Sequence, residues 1–190
     1  AAKITYDMTY EEEYEATVNF FIEEPEKAFV KKISFTGNNT FKDSVLKDYM
    51  KVKEKGIFSW FTGSGILDEE SLEDDRKNIE AFYNDNGYIR AKAGIPSIDI
   101  SKDGKTITLN LPIDEGDIYK IGNVDISGDV IFNKDQLLAG LKSRPGNKFK
   151  STLYQQDILS LTDLYQDKGY AFCDVTPLTA VNDDDKLVNM

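Results

Sequence analysis

The stretch Ile33-Ser34-Phe35-Thr36-Gly37-Asn38 returns as Val124-Asp125-Ile126-Ser127-Gly128-Asp129, and Phe41 and Leu46 return as Phe132 and Leu137, all 91 positions later. Phe82-Tyr83-Asn84-Asp85-Asn86-Gly87-Tyr88 returns as Leu164-Tyr165-Gln166-Asp167-Lys168-Gly169-Tyr170, now 82 positions later, so the first copy carries an insertion of nine between Lys51 and Ile66. A partial copy stands in front, where Thr17 to Glu24 reads like Thr108 to Glu115, again 91 apart. A chain that repeats at this spacing folds as a row of similar modules rather than around one shared core. The register places the closing strands of a preceding module over 1–26, a complete module over 28–116, and a further module over 117–190 that stops inside its last strand. Such a layout reads as an excised piece of a longer array.

Within one module the elements follow from periodicity. Phe29, Lys31, Ile33 and Phe35 alternate with Val30, Lys32 and Ser34 in a first strand, ended by the turn formers Gly37-Asn38-Asn39. Val45, Leu46, Tyr49 and Met50 fall at helical spacing, as do Leu137, Leu138 and Leu141 in the next copy. A second helix opens near Asp68 or Ser151, both read as N-caps, and its apolar stripe is Leu72, Ile79, Phe82 and Tyr83, matched by Tyr154, Leu161, Leu164 and Tyr165. Gly87 and Gly169 end these helices as left-handed C-caps. Tyr88 to Ser101 forms a second strand, Lys102-Asp103-Gly104-Lys105 a hairpin turn, and Ile107, Leu109, Leu111 and Ile113 alternate on a third strand. The order β-α-α-β-β makes this an α+β chain. With short connections, strand three lies parallel to strand one and antiparallel to strand two, so each module is a three-stranded mixed sheet of order 1-3-2 with both helices on one face.

Composition narrows the chemistry. With 23 Lys and Arg against 34 Asp and Glu, the net charge of −11 argues against a nucleic-acid partner, which needs basic surface. Histidine is absent and Cys173 is the single cysteine, which removes Ser-His-Asp and Cys-His catalysis, His-bearing zinc sites and any intrachain disulfide. No cofactor and no catalytic or metal site is expected. Asp99, Ser101, Asp103 and Gly104 resemble the start of an EF-hand loop, but the twelfth position is Asn110 instead of Glu and strand alternation runs through it, so a hairpin turn is the reading. The acidic run Asp68, Glu69, Glu70, Glu73, Asp74 and Asp75 suits a helix N-terminus and a solvated face. Cys173 aligns with Ala91 and reads as a small packed residue.

A strand ending Phe-Thr-Gly-Asn, a helix pair ending Tyr-Asn-Asp-Asn-Gly-Tyr and a closing strand ending Ile-Asp-Glu-Gly together resemble the POTRA domains, the polypeptide-transport-associated modules of outer-membrane assembly proteins. Phe58-Ser59-Trp60-Phe61-Thr62-Gly63-Ser64-Gly65, Ile79-Glu80-Ala81-Phe82-Tyr83 and Ile113-Asp114-Glu115-Gly116-Asp117 carry the likeness to the middle periplasmic repeats of barrel-assembly members. The resemblance implies a non-catalytic periplasmic arm of an outer-membrane protein. Its implied partners are unfolded β-barrel clients, accessory lipoproteins of an assembly machine and a C-terminal transmembrane barrel of the same full-length chain. A related secretion barrel, an extracellular adhesion repeat and a paired-acid enzyme are the competing readings.

Two candidate sites follow. Order 1-3-2 leaves strand two as an open edge, and its segment Ile89, Arg90, Ala91, Lys92, Ala93, Gly94 and Ile95 is expected to accept an extended chain by strand addition. Arg90, Lys92 and Pro96 guard that edge against self-association. Phe58, Trp60 and Phe61, with Ile57 and Ile66, form an aromatic cluster in the insertion that either anchors a partner or folds back to cap the core of the first complete module.

Overall fold

The computed structural model describes residues 3–12, 15–23, 28–55 and 69–190. The aromatic segment containing Phe58, Trp60 and Phe61 lies outside the described residues, as does Asp68. The chain opens with an antiparallel hairpin of β1 (Lys3–Glu12) and β2 (Glu15–Glu23), in register from Lys3 opposite Glu23. The hairpin forms its own two-stranded sheet, and Ile4, Tyr6, Phe20, Phe21 and Ile22 are all more than half exposed on it.

The first complete module runs β3 (Phe29–Thr36), α1 (Asp43–Asp48), α2 (Glu69–Asp85), β4 (Lys92–Ala93), β5 (Ser97–Ile100) and β6 (Thr106–Asp114). β6 is central, parallel to β3 and antiparallel to β4 and β5, which is the order 1-3-2. Alternation decides which residues meet the helices: Ile107, Leu109, Leu111 and Ile113 are buried while Pro112 and Asp114 are exposed. They pack with Val30, Ile33 and Phe35 of β3, Leu46 of α1, and Leu72, Ile79 and Tyr83 of α2. Burying each such side chain contributes about 1.5–3 kcal/mol before entropy is counted. Phe41 meets Tyr83 and Tyr88 edge-on, with ring centroids 5.2 and 6.1 Å apart.

The second strand differs from the sequence expectation. Instead of one strand over Tyr88 to Ser101, residues Tyr88 to Ala91 form a turn closed by the Ala91 amide on the Tyr88 carbonyl (3.0 Å), and the remainder splits into β4 and β5. Gly94, Ile95 and Pro96 make the break. The Gly94 amide still donates to the Pro112 carbonyl at 2.8 Å, but Pro96 has no N–H to continue the ladder.

The second module repeats the plan with β7 (Lys120–Ile121), α3 (Lys134–Gly140), α4 (Ser151–Gln166), β8 (Ala180–Asn182) and β9 (Leu187–Asn189), again with the third strand central. Phe132, Tyr165 and Tyr170 rebuild the Phe41, Tyr83 and Tyr88 cluster, with centroid separations of 5.1 and 6.2 Å. Gly87 (φ 91°) and Gly169 (φ 92°) end α2 and α4 in the left-handed region. The start of α4 is not as expected, because Ser151 is its first residue and Lys150 at the N-cap position offers no side-chain acceptor. The acceptor comes from the preceding module: Asp85 Oδ1 receives the Thr152 amide at 2.9 Å and the Thr152 hydroxyl at 2.6 Å.

Candidate polypeptide-binding edge and module junction

The structure distributes the expected edge residues among three environments. Ile89 packs against the second module's core of Tyr119, Ile121, Phe149 and Val188, whereas its neighbour Tyr88 packs on the first core. Two consecutive residues thus tie both cores together. Ala91 and Ala93 point inward and are buried, while Lys92 and Ile95 are exposed and Gly94 is half-buried in the break.

Ala93 is the one backbone position of β4 whose outward groups are already engaged. Its N–H donates to Glu80 Oε1 at 3.0 Å, and its carbonyl accepts from Arg76 Nε at 2.9 Å. Both side chains come from α2, one helical turn apart, so the helix covers the strand edge beside it. Lys92 adds a long ion pair to Glu80 at 3.9 Å. An incoming strand would have to displace these contacts, so the free edge lies further along, in β5. Just past the end of β5, Ser101 donates its amide to the Thr106 carbonyl at 2.9 Å. Backbone groups alternate sides along a strand, so Asp99 and Ser97 face β6 while Ile98 and Ile100 turn their N–H and C=O outward. Their side chains are 45% and 63% exposed, and Ile95 beside them is 80% exposed. Ile98 and Ile100 fell inside the expected strand but outside the expected binding segment; Arg76 and Glu80 were not foreseen at all. Only alignment of helix and strand in space brings them together.

The junction is polar as well as apolar. Arg90 grips Asp183 with two bonds, Nε to Oδ1 at 3.1 Å and an Nη2 contact to Oδ2 at 2.9 Å, and the Tyr119 hydroxyl donates to Asp183 at 2.5 Å. The Tyr119 amide donates to the Gly87 carbonyl at 2.8 Å, and Lys186 pairs with Asp117 at 2.8 Å. Arg90, foremost, and Tyr119 hold the Asp183 carboxyl below the ordinary aspartate value. A depressed folded value means that this contribution is fully present above the unfolded pKa of about 3.9 and disappears as pH falls through the lower folded value. Residual dipolar couplings measured across both modules are therefore expected to stay constant from neutral pH to about pH 4 and to change below it. Arg90→Ala should remove that acid step and widen the inter-module motion already at pH 7. Indistinguishable couplings in wild type and variant would remove the clasp from the account.

The other sequence candidates take structural places. Asp103 closes the β5–β6 hairpin by accepting from Ser101 Oγ at 2.6 Å and the Lys105 amide at 3.1 Å, and Gly104 sits at φ 70°. Of the acidic run, Glu73 pairs with Arg76 (2.6 Å) and Asp74 with Lys51 (2.7 Å). Asp75 departs from the solvated-face reading, being fully buried under the α1–α2 connection. Cys173 is half-buried. Among the described residues no group of three or more metal-ligating side chains comes together, and no helix is long and apolar enough to cross a membrane.

Comparison with known proteins bears on this arrangement. The family model described as "POTRA: Surface antigen variable number repeat" matches residues 28–116 and again 119–190. The chain belongs to the POTRA family. It is 32% identical over 179 residues to the outer membrane protein assembly factor BamA of Nitratidesulfovibrio vulgaris, covering 92% of this chain and 22% of that protein. It is 31% identical over 159 residues to a putative outer membrane protein assembly factor of Treponema pallidum, covering 80% and 18%. The chain thus spans about a fifth of the curated relatives it matches. The crystal structure of POTRA3-5 of Haemophilus influenzae BamA superposes with a TM-score of 0.62 at 17% identity, over 85% of this chain and 63% of that one, a likeness of fold. A tandem POTRA chain accounts for the repeated β-α-α-β-β order and for the 1-3-2 sheets.

Proposed function

We propose that this chain is a non-catalytic scaffold and polypeptide-binding arm for outer-membrane β-barrel assembly, placed in the periplasm as part of an outer-membrane protein. Its clients are extended, unfolded barrel strands. Its fixed partners are accessory lipoproteins of the assembly machine and a transmembrane barrel carried by the same longer polypeptide. The names of the relatives, outer membrane protein assembly factors from several bacteria, support the general role. The observation that carries the binding mode is the outward backbone of Ile98 and Ile100 on β5, flanked by the exposed Ile95 side chain.

Main-chain pairing at such an edge accepts many sequences, which suits a machine handling varied clients. Ordering a flexible client opposes binding, so affinity is weak, and exposed isoleucines supply a shallow apolar contact without a deep pocket. Titrating isotope-labelled chain with an extended peptide of alternating apolar residues should shift the amides of Ser97 to Ile100. Ile98→Pro deletes an outward N–H that the β5–β6 ladder does not use, so it should weaken the peptide about tenfold, the worth of one backbone hydrogen bond, while leaving the fold intact. Shifts confined to the helices, or none at millimolar peptide, would end this reading.

A further inference from the structure

Backbone pairing alone leaves open which side chains a bound strand carries and how it is turned. Those follow from what each face of β5 offers. Ile98 stands opposite Leu109 and Ile100 opposite Ile107, so both isoleucines lie on the side of the sheet that packs on the helices. Asp99 stands opposite Thr108 and Ser97 opposite Asn110, on the other side. That side is polar across all three strands, since Lys32 and Ser34 of β3 flank the same two β6 residues, and the Ser34 hydroxyl donates to Asn110 Oδ1 at 3.3 Å. All four β5 side chains are exposed, and Asp99 forms no ion pair among the described residues. The sheet thus ends in an apolar row on one face and an unpaired carboxylate on the other.

An added strand inherits these faces. Residues directly opposite each other share a face whether the strands run antiparallel, as at Ile98 and Leu109, or parallel, as at Ile33 and Leu109. Ile98 and Ile100 carry the outward N–H and C=O groups, so two residues of the added strand, spaced i and i+2, lie beside their side chains and residue i+1 lies beside Asp99. The Arg76 and Glu80 contacts at Ala93 stop the ladder on the β4 side, which leaves this triplet as the recognised unit.

We propose that Ile98, Ile100 and Asp99 select the strand that β5 takes, and that the preferred segment is amphipathic, with branched apolar residues at i and i+2 and Lys or Arg at i+1. The proposal rests on the strand-addition reading of β5 and adds side-chain choice to it. A barrel strand alternates apolar and polar residues and so satisfies both faces at once. A segment with its apolar residues in pairs must set one of them beside Asp99 or a polar one beside the isoleucines. Because a one-residue slip turns every side chain over, the same contacts fix which face of the client looks toward the helices.

The test titrates three eight-residue peptides into the isotope-labelled 190-residue chain: Val and Lys alternating, the same residues in pairs, and Val and Glu alternating. The alternating Val-Lys peptide should shift the amides of Ser97 to Ile100 and bind about fivefold more tightly than the paired one, the worth of two apolar cross-strand contacts. It should exceed the Val-Glu peptide by about tenfold, a gap that closes at 1 M salt, where charges are screened beyond about 3 Å. In the double variant Ile98→Thr/Ile100→Thr, which keeps β-branched residues on the strand, the preference for alternation should vanish while the β5 shifts persist. Asp99→Lys should remove the advantage of Val-Lys over Val-Glu, whereas Asp129→Lys, the same charge change at an exposed position of the second module, should leave it in place. Equal binding of the alternating and paired peptides, with shifts on β5, would overturn the selection and leave strand addition standing; no shift on β5 with any peptide at millimolar concentration would remove both. Equal effects of the two lysine substitutions would show that net charge ranks the peptides and would overturn the role given to Asp99.

Discussion

Asp75→Ala is expected to lower the melting temperature of the first complete module by about 12–24 °C, and Asp157→Ala to destabilise the second module through the same loss. Asp75 is fully buried, and its two carboxylate oxygens receive the backbone amides of Lys51 and Val52 where the chain leaves α1. Asp157 repeats the device on the amides of Lys142 and Ser143, at 2.7 and 2.8 Å. Removing the carboxylate strands two donors, one fully buried and one partly, a loss of about 3 kcal/mol, and a domain of this size loses about 4–8 °C per kcal/mol. Asp75→Asn keeps one acceptor but turns an NH₂ toward the second amide, and should lie between wild type and Ala. Burial raises the Asp75 carboxyl above its ordinary value against the lowering effect of the two amides. With the folded value raised, this group's contribution is complete below the unfolded pKa and declines as pH rises through the folded one. The stability gap between wild type and Asp75→Ala should therefore narrow from acid toward neutral pH, as measured by denaturant unfolding. A melting temperature within a few degrees of wild type would mean that water replaces the carboxylate.

What the sequence makes legible here is whatever a local period carries. Strand alternation through Ile107 to Ile113 and the helical stripe through Leu72, Ile79 and Tyr83 both map directly onto the buried face. The fixed order of short connections then leaves the central position to β6. The open strand edge is less legible because its state depends on side chains from another element. Nothing in the segment around Ala93 announces that Arg76 and Glu80 will satisfy its backbone, or that Pro96 and Gly94 will split one strand into two. The junction was hidden for the same reason: Ile89 is apolar in either module's core, and Asp85 caps a helix 67 residues away. Asp75 could have been found, because Asp157 stands at the same repeat offset while most of the acidic run has no counterpart in the second copy. A carboxylate kept in step with Leu72 and Ile79 belongs to the buried side of that helix, not to its solvated face.

Gly37→Ala should be the most damaging single-methyl change in the first complete module, while the repeat-equivalent Gly128→Ala should cost only the backbone penalty. Gly37 sits at φ 85°, in the left-handed region that costs a residue with a Cβ about 1–2 kcal/mol. The added Cβ would also fall 2.1 Å from the Ile113 carbonyl oxygen, inside contact distance of backbone that cannot rotate away. Relief requires β3 to move relative to β6 where Phe35 pairs with Leu111 and Thr36 with Pro112, which disturbs the best-packed rows of the core. Overpacking of this kind adds about 1–3 kcal/mol, so the total of about 4 kcal/mol approaches the whole stability of a marginal domain. Gly128 has a more extreme φ of 108° but open space around it, so only the backbone penalty applies. Hydrogen exchange resolved by module separates the two effects. In Gly37→Ala, protection should collapse across Val30, Leu109 and Ile79 while β7 and β9 keep theirs; in Gly128→Ala, protection should fall by about tenfold in the second module alone. Equal losses in the two variants would show that left-handed backbone geometry, and not the approach of the closing strand, is what demands glycine at this turn.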